Sequence, residues 1–442
     1  MAHRALSLAL LAALGCGDDA PVECPPPPTP GSCASDAECC DTPPCATRCV
    51  RSDAAALSLS CGPPVGSGEP GDACTRGDEC ASGLCLVAGR CAAPCARSAD
   101  CAMGERCQRA WVGGASARRA TLCVPAASIP PLATDVHGPG ATVTLGPAPL
   151  GAHNVLLPRC DARPTLRTLD GATRLFDIDA LGPLDPPISP VYVPYPGAVT
   201  VALPSGLDGV EADREHRVTF DEQVTIDRLV FAPSAGSTLD VDLFLVGVSE
   251  PDPAVFEPLR SLLASAGVSL GTIRVHPVTG PAAEALAILE SERGELPELP
   301  ELFALGAGSA ASVPIFAVRQ IDLFLGLAGG IPAALPTPGA PTAGVIIGVD
   351  TAGDALGMVL AHEVGHALGL FHLIEADGTI REPLADTPAC SLDADANGDG
   401  LLSAQECESE GATNPLFWSI DLAETTLTPD QASIVGRSPV VL

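Results

Sequence analysis

The chain contains 442 residues, of which 19 are cysteines, and it carries a formal net charge of −31. An acidic surface of this size repels phosphate backbones, so the charge argues against nucleic acid as a partner. The cysteine content is typical of an oxidising compartment rather than of the cytosol. The length accommodates about three domains, and we predict a multidomain, monomeric protein.

The first segment has the pattern of an export signal. One arginine is followed by an apolar run from Ala5 to Leu14 and then by Cys16. A run of about ten apolar residues is too short to span a bilayer, so we predict a signal peptide over residues 1–15. The stretch Ala13–Cys16 resembles the lipobox of bacterial lipoproteins, with its leucine displaced by one position. Two localisations stay open, a cell-envelope lipoprotein anchored through lipidated Cys16 and an extracellular protein, and we predict no other membrane contact.

Residues 16–125 form a cysteine-rich module behind a proline-rich tether. Fifteen of the cysteines lie between Cys24 and Cys123, and the run Cys74–Cys107 repeats short gaps that are echoed in Cys33–Cys49. This spacing predicts a disulfide framework whose connectivity the sequence does not determine. Zinc knuckles are disfavoured because paired CxxC spacing is missing. We interpret the module as a structural stalk or a small binding module.

Residues 126–236 contain short β-like runs between glycine and proline turns. Such regularly spaced strands predict an all-β, sandwich-like middle domain without a chemical constellation. The runs are "ATVTL" at 141, "RLFDI" at 174, "VTVAL" at 199, "RVTF" at 217 and "RLVF" at 228.

Residues 237–442 show the patterns of an α/β (α+β) domain. Alternating apolar residues over Leu239–Val248 predict a strand. Asp252–Pro253 then predicts the start of a helix that Gly267 closes. A second helix is predicted over about Asp354–Leu370 after three further strands. Its core face consists of residues at helical spacing, which are Leu356, Leu360, Val364 and Ala367.

This second helix carries the residues that point to a metal site. His362 and His366 are four residues apart, so they lie one turn apart on one exposed stripe and can reach the same zinc ion. Glu363 is positioned as a general base for a water molecule. Gly369 accepts the positive φ that a sharp helix exit needs. His372 then completes a predicted three-histidine Zn²⁺ site with an open fourth position.

The stretch "HEVGHALGLFH", His362 to His372, matches the HExxHxxGxxH signature of the metzincin metallopeptidases. Its surroundings resemble the pappalysin-like branch and related bacterial secreted proteins, over roughly residues 238–442. The resemblance implies a mixed sheet above a long active-site helix, with a second subdomain below the cleft. It also implies endopeptidase activity in which zinc polarises the scissile carbonyl and Glu363 acts as general base and then as proton donor.

The chain departs from the metzincin pattern at the Met-turn. The corresponding stretch looks like "NPLFW", Asn414 to Trp418, with Leu416 where methionine falls in the family. That methionine forms a hydrophobic floor below the histidines and does not bind zinc. Leucine is close to methionine in volume, and such exchanges cost under about 1.5 kcal/mol. We therefore expect an altered but working site.

A second motif predicts a calcium loop inside the same domain. "DANGDGLLSAQE" fits the twelve-residue EF-hand loop from Asp395 to Glu406, with Gly400 at the turn and Ser403 at the ninth position. Cys390 and Cys407 bracket the loop, and we predict that they form a disulfide. An acidic surface turn is the alternative to Ca²⁺ binding. The predicted calcium ligands are Asp395, Asn397, Asp399, Leu401 through its backbone carbonyl, and Glu406.

Cys160 allows two interpretations. The stretch "PRCDARP" at 158–164 is similar to the cysteine-switch segment of some metzincin propeptides, in which a thiolate blocks the zinc. Cysteine parity instead favours a disulfide between Cys160 and the upstream module.

Together these features predict a secreted or surface-anchored zinc metalloendopeptidase, a hydrolase of peptide bonds in extracellular proteins. The alternative is a catalytically weak or inactive metzincin-like binding or adhesion protein that retains zinc. Leu416 in place of methionine supports the alternative, and the intact Glu363 argues against it. The cysteine-rich module could also recognise the target on which the protease domain acts.

Overall fold

The computed structural model describes most of the chain outside the N-terminus. Between residues 133 and 231 it describes the backbone of the strands. The predicted signal peptide, Cys16, Cys24 and Cys160 lie outside the described residues. The described ranges are 32–39, 47–53, 57–102, 104–113, 118–125, 133–137, 142–145, 153–159, 166–170, 173–177, 201–203, 216–220, 224–231, 238–291, 296–322, 324–331, 333, 335–340, 343–380, 382, 384, 386–388, 390–421, 423–436, 438 and 440–441.

Disulfides organise the cysteine-rich module into three successive units. In each unit the first described cysteine pairs with the third and the second with the fourth, so these sulfurs are not available as zinc ligands. The pairs are Cys33–Cys49, Cys39–Cys61, Cys74–Cys85, Cys80–Cys91, Cys95–Cys107 and Cys101–Cys123. The strands are β1 (Arg48–Asp53), β2 (Ser58–Gly62), β3 (Ala93–Pro94), β4 (Glu105–Val112) and β5 (Arg118–Pro125).

The cysteine repeat has a local structural cause. An acidic residue stands directly before the second cysteine of each unit, and its carboxylate accepts a hydrogen bond from the backbone N–H four residues earlier. The three pairs are Glu38 with Ala34, Glu79 with Thr75 and Asp100 with Ala96. Each bond closes a short helical turn of the kind that acidic side chains cap.

The middle region contains two four-stranded antiparallel sheets, and every predicted run from 141 to 231 overlaps a strand. One sheet has the order β10-β9-β12-β7 and the other the order β11-β8-β13-β6. The strands are β6 (Ala133–His137), β7 (Thr142–Leu145), β8 (His153–Arg159), β9 (Leu166–Asp170), β10 (Thr173–Asp177), β11 (Val201–Leu203), β12 (His216–Phe220) and β13 (Val224–Phe231).

The C-terminal domain is built on a five-stranded mixed sheet of order β15-β14-β17-β20-β19. The first four strands are parallel and β19 is antiparallel to β20. The strands are β14 (Thr238–Val246), β15 (Ser269–Val278), β16 (Ile288–Leu289), β17 (Val313–Val318), β18 (Gln320–Ile321), β19 (Gly326–Ala328) and β20 (Val345–Gly348). The helices are α1 (Glu257–Ser265), α2 (Pro281–Leu286), α3 (Leu299–Phe303), α4 (Val349–Ala352), α5 (Leu356–Ala367) and α6 (Pro429–Gly436).

Helix α5 is the predicted metal-site helix, two to three residues shorter at each end than expected. Its predicted core face is buried in one hydrophobic cluster with α1 and the sheet, and the cluster includes Leu356, Leu360, Val364 and Ala367. The prediction of an exposed histidine stripe is wrong. His362 and His366 are each only 6% exposed, because the segments after the helix fold back over this face.

The cysteine-rich module packs against the C-terminal domain. The indole N–H of Trp111 donates to the carbonyl of Glu301 at 3.0 Å, and Arg119 pairs with the carboxylate of the same glutamate. Leu86 lies close to Gly308: a Cβ atom added to Gly308 would lie 2.6 Å from Cδ1 of Leu86. Ala307 belongs to the module's own hydrophobic core. Module and domain therefore share an apolar interface.

Candidate metal centre

The three predicted ligands are brought together by helix α5 and its exit. His362 and His366 lie one turn apart in the helix, which ends at Ala367. Gly369 has φ of 115°, a conformation that favours glycine, and its N–H donates to the carbonyl of His366. This tight reversal carries the chain back under the helix within three residues and places His372 beside the other two histidines.

The Nε2 atoms of the three histidines converge on one point. Nε2 of His362 lies 3.0 Å from Nε2 of His366 and 3.1 Å from Nε2 of His372. These separations approach the spacing of about 3.3 Å expected for two nitrogens at 2.0–2.1 Å from one tetrahedral zinc ion. His372 is the accessible member of the set, with a side chain 24% exposed.

The outer nitrogen of each imidazole has its own hydrogen-bond acceptor. Nδ1 of His362 lies 2.7 Å from the carbonyl of Pro415, and Nδ1 of His366 lies 2.7 Å from that of Leu370. Nδ1 of His372 lies 3.2 Å from a carboxylate oxygen of Glu375. Acceptors at all three Nδ1 atoms assign the proton to this nitrogen and leave each Nε2 with a lone pair.

The triad is therefore suited to hold a cation. The Nε2 lone pair of His362 meets those of His366 and His372 at about 3 Å, and such lone pairs repel unless a positive ion lies between them. Protonation is a poor substitute for an ion, because burial and the neighbouring His372 lower the pKa of His362 to about 3. Burial and the two neighbouring imidazoles also lower the pKa of His366 well below its usual range. Neutral imidazoles are the form that binds metal.

Glu363 lies between the helix and the outer strand β19. A backbone hydrogen bond from Ala328 reaches its carboxylate, and a Cβ on Gly326 would lie 2.7 Å from its Cγ. Only glycine allows the strand this close to the helix. Burial raises the pKa of Glu363 to about 8, with the Ala328 bond opposing the shift. A cation at the histidines would lower this pKa and favour the carboxylate that a general base requires.

Leu416, at the position where the metzincin resemblance predicts a hydrophobic floor, packs under helix α5. It is fully buried, and a Cβ built on Gly365 would lie 3.2 Å from its Cδ2. Its carbonyl accepts the N–H of Leu373, next to the third histidine. The side chain of Asn414 accepts the N–H of Leu416 and bonds Gln431 of α6, which fastens the turn to the last helix.

The predicted calcium loop is folded by hydrogen bonds from its own acidic side chains. Asp395 accepts the N–H groups of Gly398 and Gly400, each at 2.8 Å, while Glu406 accepts those of Ala396 and Ser403. In the described residues, groups of three metal-ligating side chains with ligand atoms within 4.8 Å occur at the histidine triad and around the disulfide cysteines, one of these with Glu105. The loop carboxylates do not form such a group, so the calcium site stays a prediction. Cys390 and Cys407 are joined by a disulfide.

Three contributors to the site carry no sequence signal. Glu375 meets His372 across an irregular turn, and Pro415 supplies a backbone carbonyl that any residue could supply. Gln431 reaches the 414–418 turn from a helix 17 residues downstream. Glu375 stands three residues after His372 outside any helix, and the other two contacts join distant segments, so only the folded chain reveals them.

Comparison with known proteins gives a partial likeness. The chain is 33% identical over 101 residues to extracellular metalloproteases of Arthroderma benhamiae and Trichophyton verrucosum, which is 22% of this chain and 36% of each relative. The chain thus matches about a third of the length of these curated relatives. No family model matches the chain. Within the described residues, no helix has the length and apolar character needed to cross a membrane.

Solved structures give no further guidance. A family two carbohydrate esterase from Clostridium thermocellum, solved with cellohexaose, is 11% identical to this chain. The match covers 41% of this chain and 60% of the esterase chain, with a TM-score of 0.14. An acetyl xylan esterase from Butyrivibrio proteoclasticus is 8% identical, covers 42% and 60%, and has a TM-score of 0.13. Likeness at these scores carries no argument about fold or function.

Proposed function

We propose that the protein is an exported zinc-dependent endopeptidase whose C-terminal domain is metzincin-like. The observation that carries this proposal is the convergence of the three histidine side chains, on a helix in which Glu363 directly follows His362. The likeness to extracellular metalloproteases supports the same class of activity. The disulfides of the N-terminal module suit an oxidising compartment outside the cell.

The residues divide the chemistry among them. A zinc ion bound by His362, His366 and His372 would supply Lewis-acid polarisation of the scissile carbonyl and a lowered pKa of water. The Glu363 carboxylate takes the proton of the attacking water as general base and then delivers it to the leaving amine. The backbone of Ala328 holds that carboxylate against the helix. Leu416 packs against Gly365 and keeps the helix turn between the two histidines in place.

The outer strand beside Glu363 favours an extended peptide as substrate. β19 pairs with β20 on one side, and no strand of the described residues pairs with its other side. An unpaired strand edge binds extended peptides through main-chain hydrogen bonds. Phe324 and Leu325, directly before the strand, are 45% and 43% exposed and offer apolar contact to substrate side chains. A peptide paired with this edge would run past the carboxylate that serves as the base.

We also propose that calcium binds the 395–406 loop and that the mature protein is a monomer acting on extracellular proteins or peptides. The match of the loop to the EF-hand pattern supports the calcium proposal. Mass spectrometry of the exported protein distinguishes an N-terminus that is lipid-anchored at Cys16 from a free one. A mass increase consistent with diacylglyceryl-cysteine at the new N-terminus is expected for the lipoprotein form.

One comparison separates this function from that of a zinc-retaining binding protein. Wild type and Glu363→Ala are loaded with zinc, their metal content is measured, and both are assayed on casein and on a peptide library. We expect equal zinc content, cleavage by wild type, and a loss of at least about 100-fold in the variant, the range of a positioned general base. Equal background-level cleavage with zinc bound in both proteins would establish the binding-protein alternative.

A further inference from the structure

Leu402 connects two segments that surround the histidine triad. Its backbone N–H donates to the carbonyl of Ala376 at 2.7 Å, and its carbonyl accepts the indole N–H of Trp418, also at 2.7 Å. Leu402 is fully buried. The bond to Trp418 is partly buried, and a partner lost from such a bond is costly.

Each of these bonds ends on a segment that orients a zinc-binding histidine. Ala376 directly follows Glu375, whose carboxylate contacts Nδ1 of His372. Trp418 ends the 414–418 turn, in which the carbonyl of Pro415 lies 2.7 Å from Nδ1 of His362. One backbone position thus holds the acceptors of two of the three imidazoles at a fixed separation.

The segment that carries Leu402 is itself constrained. The disulfide between Cys390 and Cys407 closes it into a loop, which we name the brace loop, residues 390–407. A compact apolar cluster seals it against both site segments, because the cluster joins brace-loop side chains to Ile374 and Phe417. Ile374 lies two residues after the third histidine, and Phe417 directly follows Leu416.

We propose that Trp418 and the brace loop are positioning elements of the metal centre. Through Leu402 they keep the Glu375 carboxylate and the Pro415 carbonyl at hydrogen-bond distance from the imidazoles of the triad. Removing a hydrogen-bond partner of a metal-binding side chain typically lowers metal affinity by about 10- to 100-fold. The inference rests on the proposed zinc site, and it assigns a task to Trp418, for which the sequence indicated no role beyond its place at the end of the 414–418 stretch. Trp418 does not touch the ion or the substrate; it acts through Leu402.

The chain offers a matched control for the test, since its other tryptophan makes the same type of bond at a distant place. Trp111 donates its indole N–H to the carbonyl of Glu301 at the interface with the cysteine-rich module. Trp418→Phe and Trp111→Phe therefore each remove one indole donor from one backbone carbonyl. Both variants, with wild type, are made as full chains, and their zinc affinity is measured by competition with a chelating dye.

We expect Trp418→Phe to bind zinc about 10- to 100-fold more weakly than wild type and Trp111→Phe to bind it as wild type does. Cobalt substitution provides a second readout, because the visible spectrum of Co²⁺ reports its ligand geometry. A changed spectrum is expected for Trp418→Phe alone. A purely structural role would instead lower the melting temperatures of the two variants alike and leave both the affinity and the spectrum unchanged.

A double variant of the brace loop covers the case in which Trp418→Phe does not fold. Cys390→Ala/Cys407→Ala opens the loop and is expected to weaken zinc binding while the cysteine-rich module keeps its disulfides. Wild-type zinc affinity in folded Trp418→Phe or in the folded Cys390→Ala/Cys407→Ala variant would overturn the positioning role. Equal losses of affinity in Trp418→Phe and Trp111→Phe would overturn it too. Absence of zinc binding in wild type would instead overturn the proposed function itself.

Discussion

Leu416 lies directly beneath Gly365, the residue that precedes His366 in helix α5. Because the two residues pack together, the size of the side chain at 416 affects the position of the helix turn that carries the histidines. Leu416 is fully buried in the main hydrophobic cluster.

This contact leads to a prediction about the residue at the floor. We expect Leu416→Ala to destabilise the protein by about 2–5 kcal/mol, because it leaves a cavity in a packed core. Leu416→Met preserves volume and should cost less than about 1.5 kcal/mol. Urea unfolding of the two zinc-loaded variants measures both values. Similar losses in both would show that packing at this position does not govern stability.

A second prediction concerns Glu375, the carboxylate behind His372. Glu375→Gln keeps the shape of the side chain but removes its charge, so its interaction with Nδ1 weakens. We expect zinc affinity to fall by about 10-fold, and by up to about 100-fold in Glu375→Ala. Isothermal titration with a competing chelator measures the affinity. Glu408→Gln, at an exposed acidic residue away from the triad, serves as the control and should leave zinc binding unchanged.

The buried Glu382 makes stability depend on pH. Burial raises its pKa from the ordinary value of 4.5 to about 7, with hydrogen bonds from Thr387 and Gln431 opposing the shift. The folded state thus holds this proton more tightly than the unfolded state. Its unfavourable contribution is absent below about pH 4.5, grows as the pH rises towards 7 and is complete above it.

Glu382→Gln removes this ionisation. We expect the variant to gain stability relative to wild type as the pH rises from 4.5 to 7, with the full gain at pH 8 and little difference at pH 4. Urea unfolding of both proteins across this range measures the difference. A gain that does not change with pH would assign the effect to packing rather than to the carboxyl proton.

The calcium proposal is tested by thermal melting of zinc-loaded protein. Ligand binding to the folded state raises the melting temperature, so calcium should raise it and magnesium, a poor match for this loop, should raise it less. Asp399→Asn, which removes one predicted ligand charge, should reduce the calcium shift. A wild-type midpoint that calcium leaves unchanged would identify residues 395–406 as an acidic turn closed by its own hydrogen bonds.

The interface between the cysteine-rich module and the C-terminal domain gives a further expectation. Trp111→Ala removes both the bond to Glu301 and the ring over which the Arg119 guanidinium lies, 5.7 Å from the ring centroid. We expect a loss of about 1–3 kcal/mol, within the usual range for a partly buried contact. Amide hydrogen exchange should then accelerate in residues 299–308. Arg97→Ala, at an exposed residue that pairs with Asp100 within the module, should leave that exchange unchanged.

The local chemistry of the site followed from the sequence, because it depends on neighbours in the chain. Helical spacing places His362 and His366 one turn apart, and Gly369 allows the reversal that carries His372 to them. The core face of α5 was predicted for the same reason, since a helix repeats its faces at a fixed interval. The helical segment that includes α1 likewise begins after Asp252, whose side chain caps the turn Pro253–Phe256, and ends before Gly267. Both ends depend on short-range capping.

Tertiary structure decided what lies around these residues. The contact of His362 with Pro415 and the bond between Leu402 and Trp418 join segments that no periodic pattern relates. The docking of the cysteine-rich module depends on Trp111 meeting Glu301, 190 residues away. Spacing along a helix is determined by backbone geometry and can be read from the chain, whereas long-range contacts depend on how separate surfaces fit, which becomes definite only when the chain is folded.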